Sequence, residues 1–563
     1  MPEALPPPAG VIPALQHWAR SCPGQPALRF IDDQGGQATL GYGELAARAA
    51  AGAARLQPWR GTPQPVLVVM EAGLDFAASF LACLAAGVLA VPVAVPRNER
   101  QARVLAAIAA VARPALAIVQ AGVLERAHRW LATDPVLAEV EWLTSEDLLA
   151  PLPGASAESW AAPDPAGVAY LQFTSGSTTR PRGVEISHAN VTANVADISV
   201  AFGARRETVS CSWLPHYHDM GLIAGVLAPL SLGGTSVLMS PLGFLARPRL
   251  WLETIERFGA EISGGPNFAY DLCVSRIREA DRAGLDLSRW RLAFTGAEPV
   301  RARTLAQFAD AFSGAGFRPR ALYPCYGLAE ATLWVSGRLD GLEGVRERAP
   351  GGAAGSSVSC GRWHATTDLQ IVGDDGTVVP GGAVGEIWIS GPGVARAYHG
   401  DDAASRATFG HRLPGLPGAY LRTGDLGCVV DGELFVLGRR KEMAIFAGRN
   451  LYFVDVEEAV REELPPLATA AVACFAIDDG QSERIVVLIE LPRRPTWDPA
   501  QARQQLQVAL SARFGCGPVS VEWVRHGELP RTTSGKLRRG AIREGFLAGS
   551  FGTAGAVAAD VAP

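Results

Sequence analysis

A chain of 563 residues with 48% apolar and 19% charged side chains can bury a substantial core, which excludes a small disulfide scaffold and a mostly disordered polymer. Its 51 basic residues face 56 acidic ones, a formal net charge of -5 that leaves no electrostatic footprint for nucleic acid. Nine cysteines are scattered without a C-x-x-C pair, so neither a disulfide framework nor a thiolate metal site is expected, and reduced thiols in a cytoplasmic protein are the reading.

The opening MPEALPPPAG lacks the basic start and apolar run of a signal peptide, so no export is expected. Leu45, Ala49, Ala53 and Leu56 fall on one helical stripe, 66–70 is a short β-branched run, 76–86 is helix-like and 88–95 strand-like. Similar strands follow at 168–173, 209–213, 235–239 and 292–295, and this β-α-β alternation predicts mostly parallel sheets covered by helices. Two uncharged stretches, 76–96 and 220–246, are broken by Gly87, Pro92 and Pro96 and by Pro229, Gly233, Gly234 and Pro241, so no membrane span is expected.

After Gly361 short strands alternate with tight turns such as Asp374-Asp375-Gly376 and Asp431-Gly432-Glu433, which predicts an antiparallel β subdomain over about 361–438. Strands near 470–477 and 484–491, a helix near 498–514 and a basic end at 536–539 predict a separate small α+β domain over 439–548. Residues 337–357 read as an exposed loop, and the Ala/Gly-rich 549–563 as a disordered tail. The expected fold is therefore α/β: a large N-terminal domain (1–438) of helix-covered, mostly parallel sheets with an antiparallel β subdomain, then a small mobile C-terminal α+β domain.

The strongest chemical signal is Phe173-Thr174-Ser175-Gly176-Ser177-Thr178-Thr179-Arg180-Pro181-Arg182-Gly183, directly after an apolar strand. Small hydroxyl residues and glycine let backbone N–H groups and hydroxyls converge on phosphate oxygens, so Thr174, Ser175, Gly176, Ser177 and Thr178 are expected to hold a nucleotide phosphate. The Walker A pattern is absent, and composition alone would equally allow a polar surface loop.

This loop resembles the phosphate loop of the adenylate-forming superfamily of acyl-CoA synthetases, luciferases and nonribosomal peptide adenylation domains. Five further stretches follow in that superfamily's order: Gly296-Ala297-Glu298-Pro299, Tyr326-Gly327-Leu328-Ala329-Glu330, Tyr420-Leu421-Arg422-Thr423-Gly424-Asp425, Gly438-Arg439-Arg440-Lys441, and Pro530-Arg531-Thr532-Thr533-Ser534-Gly535-Lys536. The resemblance spans about 13–546 and implies ATP and Mg2+ as cofactors. It implies Glu330 on the Mg2+ that bridges the ATP phosphates, Gly296, Ala297 and Glu298 beside adenine, and Tyr326 and Gly327 at the nucleotide. It further implies Asp425 and Arg439 at the ribose, Lys441 at an interdomain hinge, and Lys536 bridging the substrate carboxylate and the α-phosphate. Lysine occurs only at 441 and 536, 49 of the 51 basic residues being arginine, which sets Lys536 apart from an incidental surface charge.

Ser212-Trp213-Leu214-Pro215-His216-Tyr217-His218-Asp219-Met220-Gly221, Ser263-Gly264-Gly265-Pro266-Asn267-Phe268-Ala269-Tyr270-Asp271-Leu272 and 323–332 resemble fatty acyl-AMP ligases more than acyl-CoA synthetases. That likeness implies a catalytic set of Lys536, His218 and Glu330, with His218 at the mouth of an acyl pocket lined by Trp213, Gly265, Pro266, Asn267 and Phe268. Arg182 stands where many relatives have lysine, Ile445 where relatives completing a second half-reaction carry lysine, and the interval from Thr332 to Ser359 is shorter than such ligases usually carry. The function implied is activation of a fatty acid to an acyl-adenylate with pyrophosphate release, then acyl transfer to a phosphopantetheinylated acyl carrier protein. No Asp-Ser-Leu attachment site is present, so the carrier is expected in trans. The alternatives are a fatty acyl-CoA synthetase, an amino-acid adenylation enzyme in which Asp219 meets an α-ammonium, and a non-enzymatic nucleotide binder.

Overall fold

Runs of Val, Leu, Ile and Ala too short for helices become the buried strands of two parallel sheets. A computed structural model describes residues 10–125, 134–174, 181–338, 345–348, 357–446, 449–478, 483–492, 495–514, 519–532 and 536–551. One sheet holds, in spatial order, Glu141–Thr144, Leu116–Val119, Val66–Val69, Ala90–Val93, Val168–Thr174 and Arg182–Ser187. All its neighbours are parallel except the last pair. The second holds Leu322–Pro324, Leu292–Thr295, Ile262–Gly264, Val209–Ser212, Thr235–Met239, Pro26–Ile31 and the antiparallel edge strand Gln37–Gly41.

Helix Leu74–Ala86 touches strands of both sheets and is buried almost all round, which is why its sequence carries no polar face. Its neighbour Tyr42–Arg55 approaches so closely that a Cβ on Gly52 would stand 2.7 Å from that of Ala82. The stretch 220–246, read as a buried helix turning into a strand, is a π-wound helix Met220–Leu227, the short helix Ala228–Ser231, strand Thr235–Met239 and helix Pro241–Ala246. Among the described residues no helix is long and apolar enough to cross a membrane.

The antiparallel part comprises a four-stranded sheet, Asp368–Val372, Gly385–Ser390, Leu421–Val430 and Glu433–Arg439, and a smaller one built on Tyr326–Gly327, Trp334–Gly337 and Arg362–Trp363. Helix His188–Phe202 ties it to the parallel sheets. Asn194, 1% exposed, donates to the Trp334 carbonyl at 2.8 Å and accepts from the Trp334 N–H at 3.0 Å, while Asn190 donates to the carbonyls of Pro392 and Val394. Such paired buried bonds fix register, because breaking one side leaves a desolvated polar group. Most of the loop read at 337–357 and of the tail read at 549–563 lies outside the described residues; Glu347–Arg348 pairs with Ser357–Val358.

Residues between Ala444 and Ile542 bury a core of their own. Its sheet takes Val472–Asp478, Glu483–Glu490 and Ser520–Val524 in order, with helices Phe453–Glu463 and Pro499–Phe514 packed on it. Burial raises the Asp455 carboxyl from 3.8 to about 6, against the pull of Arg513. Below the unfolded value both states carry the proton; between 3.8 and about 6 the unfolded chain ionises while the folded protein holds its proton, so the aspartate costs increasing stability up to about pH 6 and a constant amount above it. Asp455→Asn is expected to stabilise this unit by ~1–3 kcal/mol near pH 8 and by roughly half as much near pH 5, read from thermal melts at the two pH values.

Candidate active site

A cleft of about 920 Å³ lies between the large N-terminal part and the small C-terminal unit. It opens beyond the carboxyl ends of strands Val168–Thr174 and Leu292–Thr295, where parallel sheets offer loops and unpaired backbone to a ligand. Of the four described non-glycine residues in the left-handed region, Ala297, at φ 68°, lines it, and Thr332, at φ 70°, is buried two residues beyond the lining residue Glu330. Thr332 is held there by its hydroxyl bond to the Gly393 carbonyl at 2.6 Å. Backbone strain of this kind persists only where surrounding structure over-determines the loop.

One wall carries a buried carboxylate, Asp425. The Tyr326 hydroxyl donates to Asp425 Oδ2 at 2.6 Å, and Arg439 Nε stands 3.5 Å from Oδ1. Burial pushes the Asp425 carboxyl up, while Arg439 and the Tyr326 hydroxyl hold it down. Tyr326 is fixed by Gly327, where a Cβ would fall 1.8 Å from the Leu333 carbonyl oxygen, so only glycine permits the approach. Beside it, Asn267 donates through its backbone N–H and its amide to Glu298 Oε1, at 2.9 and 3.0 Å, and accepts from the Arg301 N–H. Asn267 thus spends its amide on clamping the 298–301 loop.

A second wall presents Glu330. Its Oε1 accepts from the Tyr398 hydroxyl at 2.7 Å, and its carbonyl from the Ala395 N–H at 2.8 Å. Segment 395–399 runs along the edge strand Arg182–Ser187, through Glu185 N–H to the Ala397 carbonyl and His399 N–H to the Gly183 carbonyl. Arg182 lies 5.2 Å above the Tyr398 ring. Among the described residues no group of three or more His, Cys, Asp or Glu side chains could hold a metal alone. A single carboxylate suits Mg2+ that arrives with phosphate oxygens and water as its remaining ligands.

The third wall carries His218, Asp219 and, from the small unit, Lys536. Gly221 lets this turn form, since a Cβ there would stand 2.0 Å from the Pro215 carbonyl. Burial, seconded by Lys536, pushes His218 down to about 3, so the imidazole is neutral. Burial likewise lowers Lys536, opposed by Glu298 and Asp219, and raises Asp219, opposed by Lys536. Lys536 retains some solvent contact through the open cleft but sits deep within it. Its turn is secured by Thr532, whose N–H donates to the Lys536 carbonyl at 2.6 Å and whose hydroxyl accepts from the Lys536 N–H at 3.1 Å. Arg539 then ties this turn to helix Phe453–Glu463 through a two-point contact with Glu457 at 2.9 and 2.8 Å.

Of the residues singled out in the sequence, the cleft brings together Thr174, His218, Asn267, Phe268, Ala297, Glu298, Tyr326, Gly327, Glu330, Asp425, Arg439 and Lys536. Ser175, Gly176, Ser177 and Thr178 lie outside the described residues. Gly296 backs onto the Cys325 carbonyl, 2.7 Å from where its Cβ would be. Trp213, Gly265 and Pro266 are buried away from the cleft, and Lys441 is exposed in the turn between Glu433–Arg439 and Met443–Phe446. Sequence reasoning missed Tyr398 and a cluster of arginine contacts where the two units meet. In the latter, Arg301 pairs with Asp271 at 2.6 Å and reaches Glu458 of the small unit at 3.9 Å, Arg461 pairs with Glu458 at 3.2 Å, and Arg303 donates to the Arg461 carbonyl at 3.4 Å.

Two parallel sheets, an antiparallel platform and a small unit delivering a lysine into a nucleotide-sized cleft define an adenylate-forming fold. The sequence profile of the AMP-binding enzyme family matches residues 15–399, and the chain belongs to that family. It is 34% identical over 540 residues to the medium-chain-fatty-acid–acyl-carrier-protein ligase JamA of Moorena producens, covering 91% of this chain and 90% of that one. It is 35% identical over 583 residues to the putative fatty-acid–CoA ligase FadD21 of Mycobacterium tuberculosis, covering 96% and 99%. A solved structure from a study of fatty acyl-adenylate ligases of E. coli and L. pneumophila superimposes with a TM-score of 0.84 at 32% identity, covering 96% of this chain and 98% of that one.

Glu458→Arg would set a third guanidinium against Arg301 and Arg461 and remove the contact that docks the small unit. It is expected to weaken docking by ~1–2 kcal/mol and to raise the radius of gyration in small-angle X-ray scattering. A scattering profile identical to that of the parent protein would assign the contact no docking role.

Proposed function

We propose that this chain activates a fatty acid with Mg-ATP to an acyl-adenylate, and then passes the acyl group to the phosphopantetheine thiol of an acyl carrier protein supplied as a separate polypeptide. The observation that carries the reading is Lys536, brought from the small unit into a cleft where Asp219, Glu298 and Asp425 share its field. A carboxylate oxygen attacks the α-phosphorus, the α–β phosphoanhydride bond breaks, and pyrophosphate leaves with the electron pair. The nucleophile is already ionised, so no general base is needed, and positioning and charge neutralisation do the catalysis.

Each wall supplies one part. Asp425 accepts from the two ribose hydroxyls, as a carboxylate can, and Arg439 offsets the burial that pushes it up. Ala297 and Glu298 flank the base, and Thr174 opens the loop assigned to the phosphates. Glu330, oriented by Tyr398, would hold Mg2+, which offsets charge on the phosphates when bound. Neutral His218 offers the entering carboxylate a hydrogen bond without a competing charge, while Lys536 lies where charge moves from carboxylate to pyrophosphate. In the second step the thiol sulfur attacks the acyl carbonyl, its proton passes to solvent and AMP departs.

Similarity to relatives named as carrier-protein ligases supports the acceptor, and similarity to one named as a putative CoA ligase keeps free CoA as the second reading. Lys536→Ala is expected to depress pyrophosphate release ~10²–10³-fold while nucleotide binding, measured by calorimetry, persists, because the other nucleotide contacts lie outside its turn. Near-normal adenylation by that variant would strip Lys536 of its role. Product mass spectrometry with ATP and fatty acid should show accumulated acyl-adenylate, ready acylation of a phosphopantetheinylated carrier and poor acylation of CoA. Efficient acyl-CoA formation would favour the second reading instead.

A further inference from the structure

Asn267 borders the cleft, yet it is only 1% exposed, and its side-chain bonds all run to one loop. Its Nδ2 donates to Glu298 Oε1 at 3.0 Å and to the Pro299 carbonyl at 2.9 Å, and its Oδ1 accepts from the Arg301 N–H at 3.0 Å. Both amide hydrogens are thus spent on the loop. Glu298 answers in kind: helix Asn267–Arg276 begins after Pro266, which offers no capping side chain, and Glu298 Oε1 accepts the Asn267 N–H at 2.9 Å in place of a cap. One turn further along the same helix, Asp271 takes the Arg301 guanidinium at 2.6 Å. A single helix therefore grips the 298–301 loop at both ends.

Both ends of that loop meet the small unit. Arg301 reaches Glu458 at 3.9 Å, and Glu298 lines the cleft together with Lys536. The charges around the ammonium are Glu298, Asp219 and Asp425, which favour it, and Arg439, which opposes it, with neutral His218 also within reach. Among them Glu298 contributes most. Resting on the role of Lys536 in the fatty-acid reading above, we infer that Asn267 is a positioning residue: by clamping the 298–301 loop it seats the Glu298 carboxylate opposite Lys536 and Arg301 opposite Glu458, so that the small unit docks with its lysine in register. In this role Asn267 acts through Glu298 and Arg301 and touches no reacting atom. A carboxylate that swung away from its seat would leave the ammonium to burial, which favours the neutral amine.

The scarcity of lysine makes the test direct, because labelling the ε-carbon of lysine yields signals from Lys441 and Lys536 alone, and Lys441→Arg assigns them. The Lys536 signal is titrated by NMR in the full chain without substrate. Glu298→Gln keeps an oxygen for both Asn267 bonds and removes the charge, whereas Asn267→Ala removes the amide and keeps the charge. Both should move the Lys536 midpoint to lower pH, and the alkaline limb of pyrophosphate release with it, because the charged form loses its main favourable partner. The shift should be smaller in Asn267→Ala, where the backbone N–H still holds Oε1. That variant should also slow pyrophosphate release at neutral pH by ~10–10²-fold. If circular dichroism shows Asn267→Ala unfolded, Asn267→Ser, which returns a hydroxyl to the buried space, takes its place. A folded Asn267 variant with an unmoved Lys536 midpoint would overturn the inference, since a merely structural residue costs stability and leaves that midpoint alone. An unmoved midpoint in Glu298→Gln would overturn it equally. Absence of pyrophosphate with every fatty acid in the parent protein would sink the fatty-acid reading instead, and the titration, which needs no substrate, would still decide where the lysine is seated.

Discussion

Everything else in the site answers to one constraint: an ammonium from one folding unit must be held, desolvated, in the cleft of another. Burial alone pushes Lys536 toward its neutral form, and Glu298, Asp219 and Asp425 oppose that push. A buried charge of this kind is tolerable only where partners compensate its lost hydration. The carboxylates are themselves destabilised by burial, as the raised Asp219 and Asp425 show. The cleft is thus a balanced set of unfavourable charges, each made acceptable by the others, and withdrawal of the small unit would leave the acidic members without their cation. A phosphate in such a cleft would add negative charge beside Lys536 and Arg439 and so favour the ammonium form of the lysine.

The parallel sheets matter because they hold the acidic partners still while the lysine is delivered. Helix His188–Phe202 is the joint. Asn194 fixes the backbone at Trp334 and Asn190 fixes it at Pro392 and Val394, so Glu330 and Tyr398 are anchored to the same helix from two sides. The left-handed Thr332 lies between those anchors, locked onto the Gly393 carbonyl. Strain in the Glu330 loop is therefore supported by buried hydrogen bonds to a rigid neighbour rather than relaxed by movement.

Much of this was legible in the sequence because it is local. Thr235–Met239 and Leu292–Thr295 begin and end where the apolar runs do, and the α/β class followed from alternation along the chain. Asp425, Glu330 and Lys536 stood out because they sit in short stretches whose order resembles a known family. What stayed hidden is long-range or steric. Tyr398 reaches Glu330 across 68 positions with no motif of its own. The Arg301–Glu458 contact joins separate cores, and nothing in either local sequence distinguishes it from an ordinary surface charge. The hairpin Pro26–Ile31 with Gln37–Gly41 was also passed over, since the second strand is mostly exposed and offers little apolar pattern. Nor does sequence reveal whether an aromatic beside glycine opens a channel or plugs one; Trp213 packs so closely on Gly265 that a Cβ there would stand 2.6 Å from the indole.

The scarcity of lysine sharpens the division of labour among cations. Arginine presents a planar fork that is used best when both arms are engaged, and the interface and the small unit employ it that way: Arg539 on Glu457, and Arg301 between Asp271 and Glu458. Those contacts are made between protein groups and hold elements in place. At position 536 the demand is different, because the cation must enter a narrow, desolvated space among Asp219, Glu298 and Asp425. A compact ammonium on a flexible stem meets that demand, and a guanidinium, larger and directional, would compete with Arg439 for Asp425. In a chain that uses arginine for 49 of its 51 basic positions, a lysine at 536 is thus accounted for by the space it occupies rather than by charge alone.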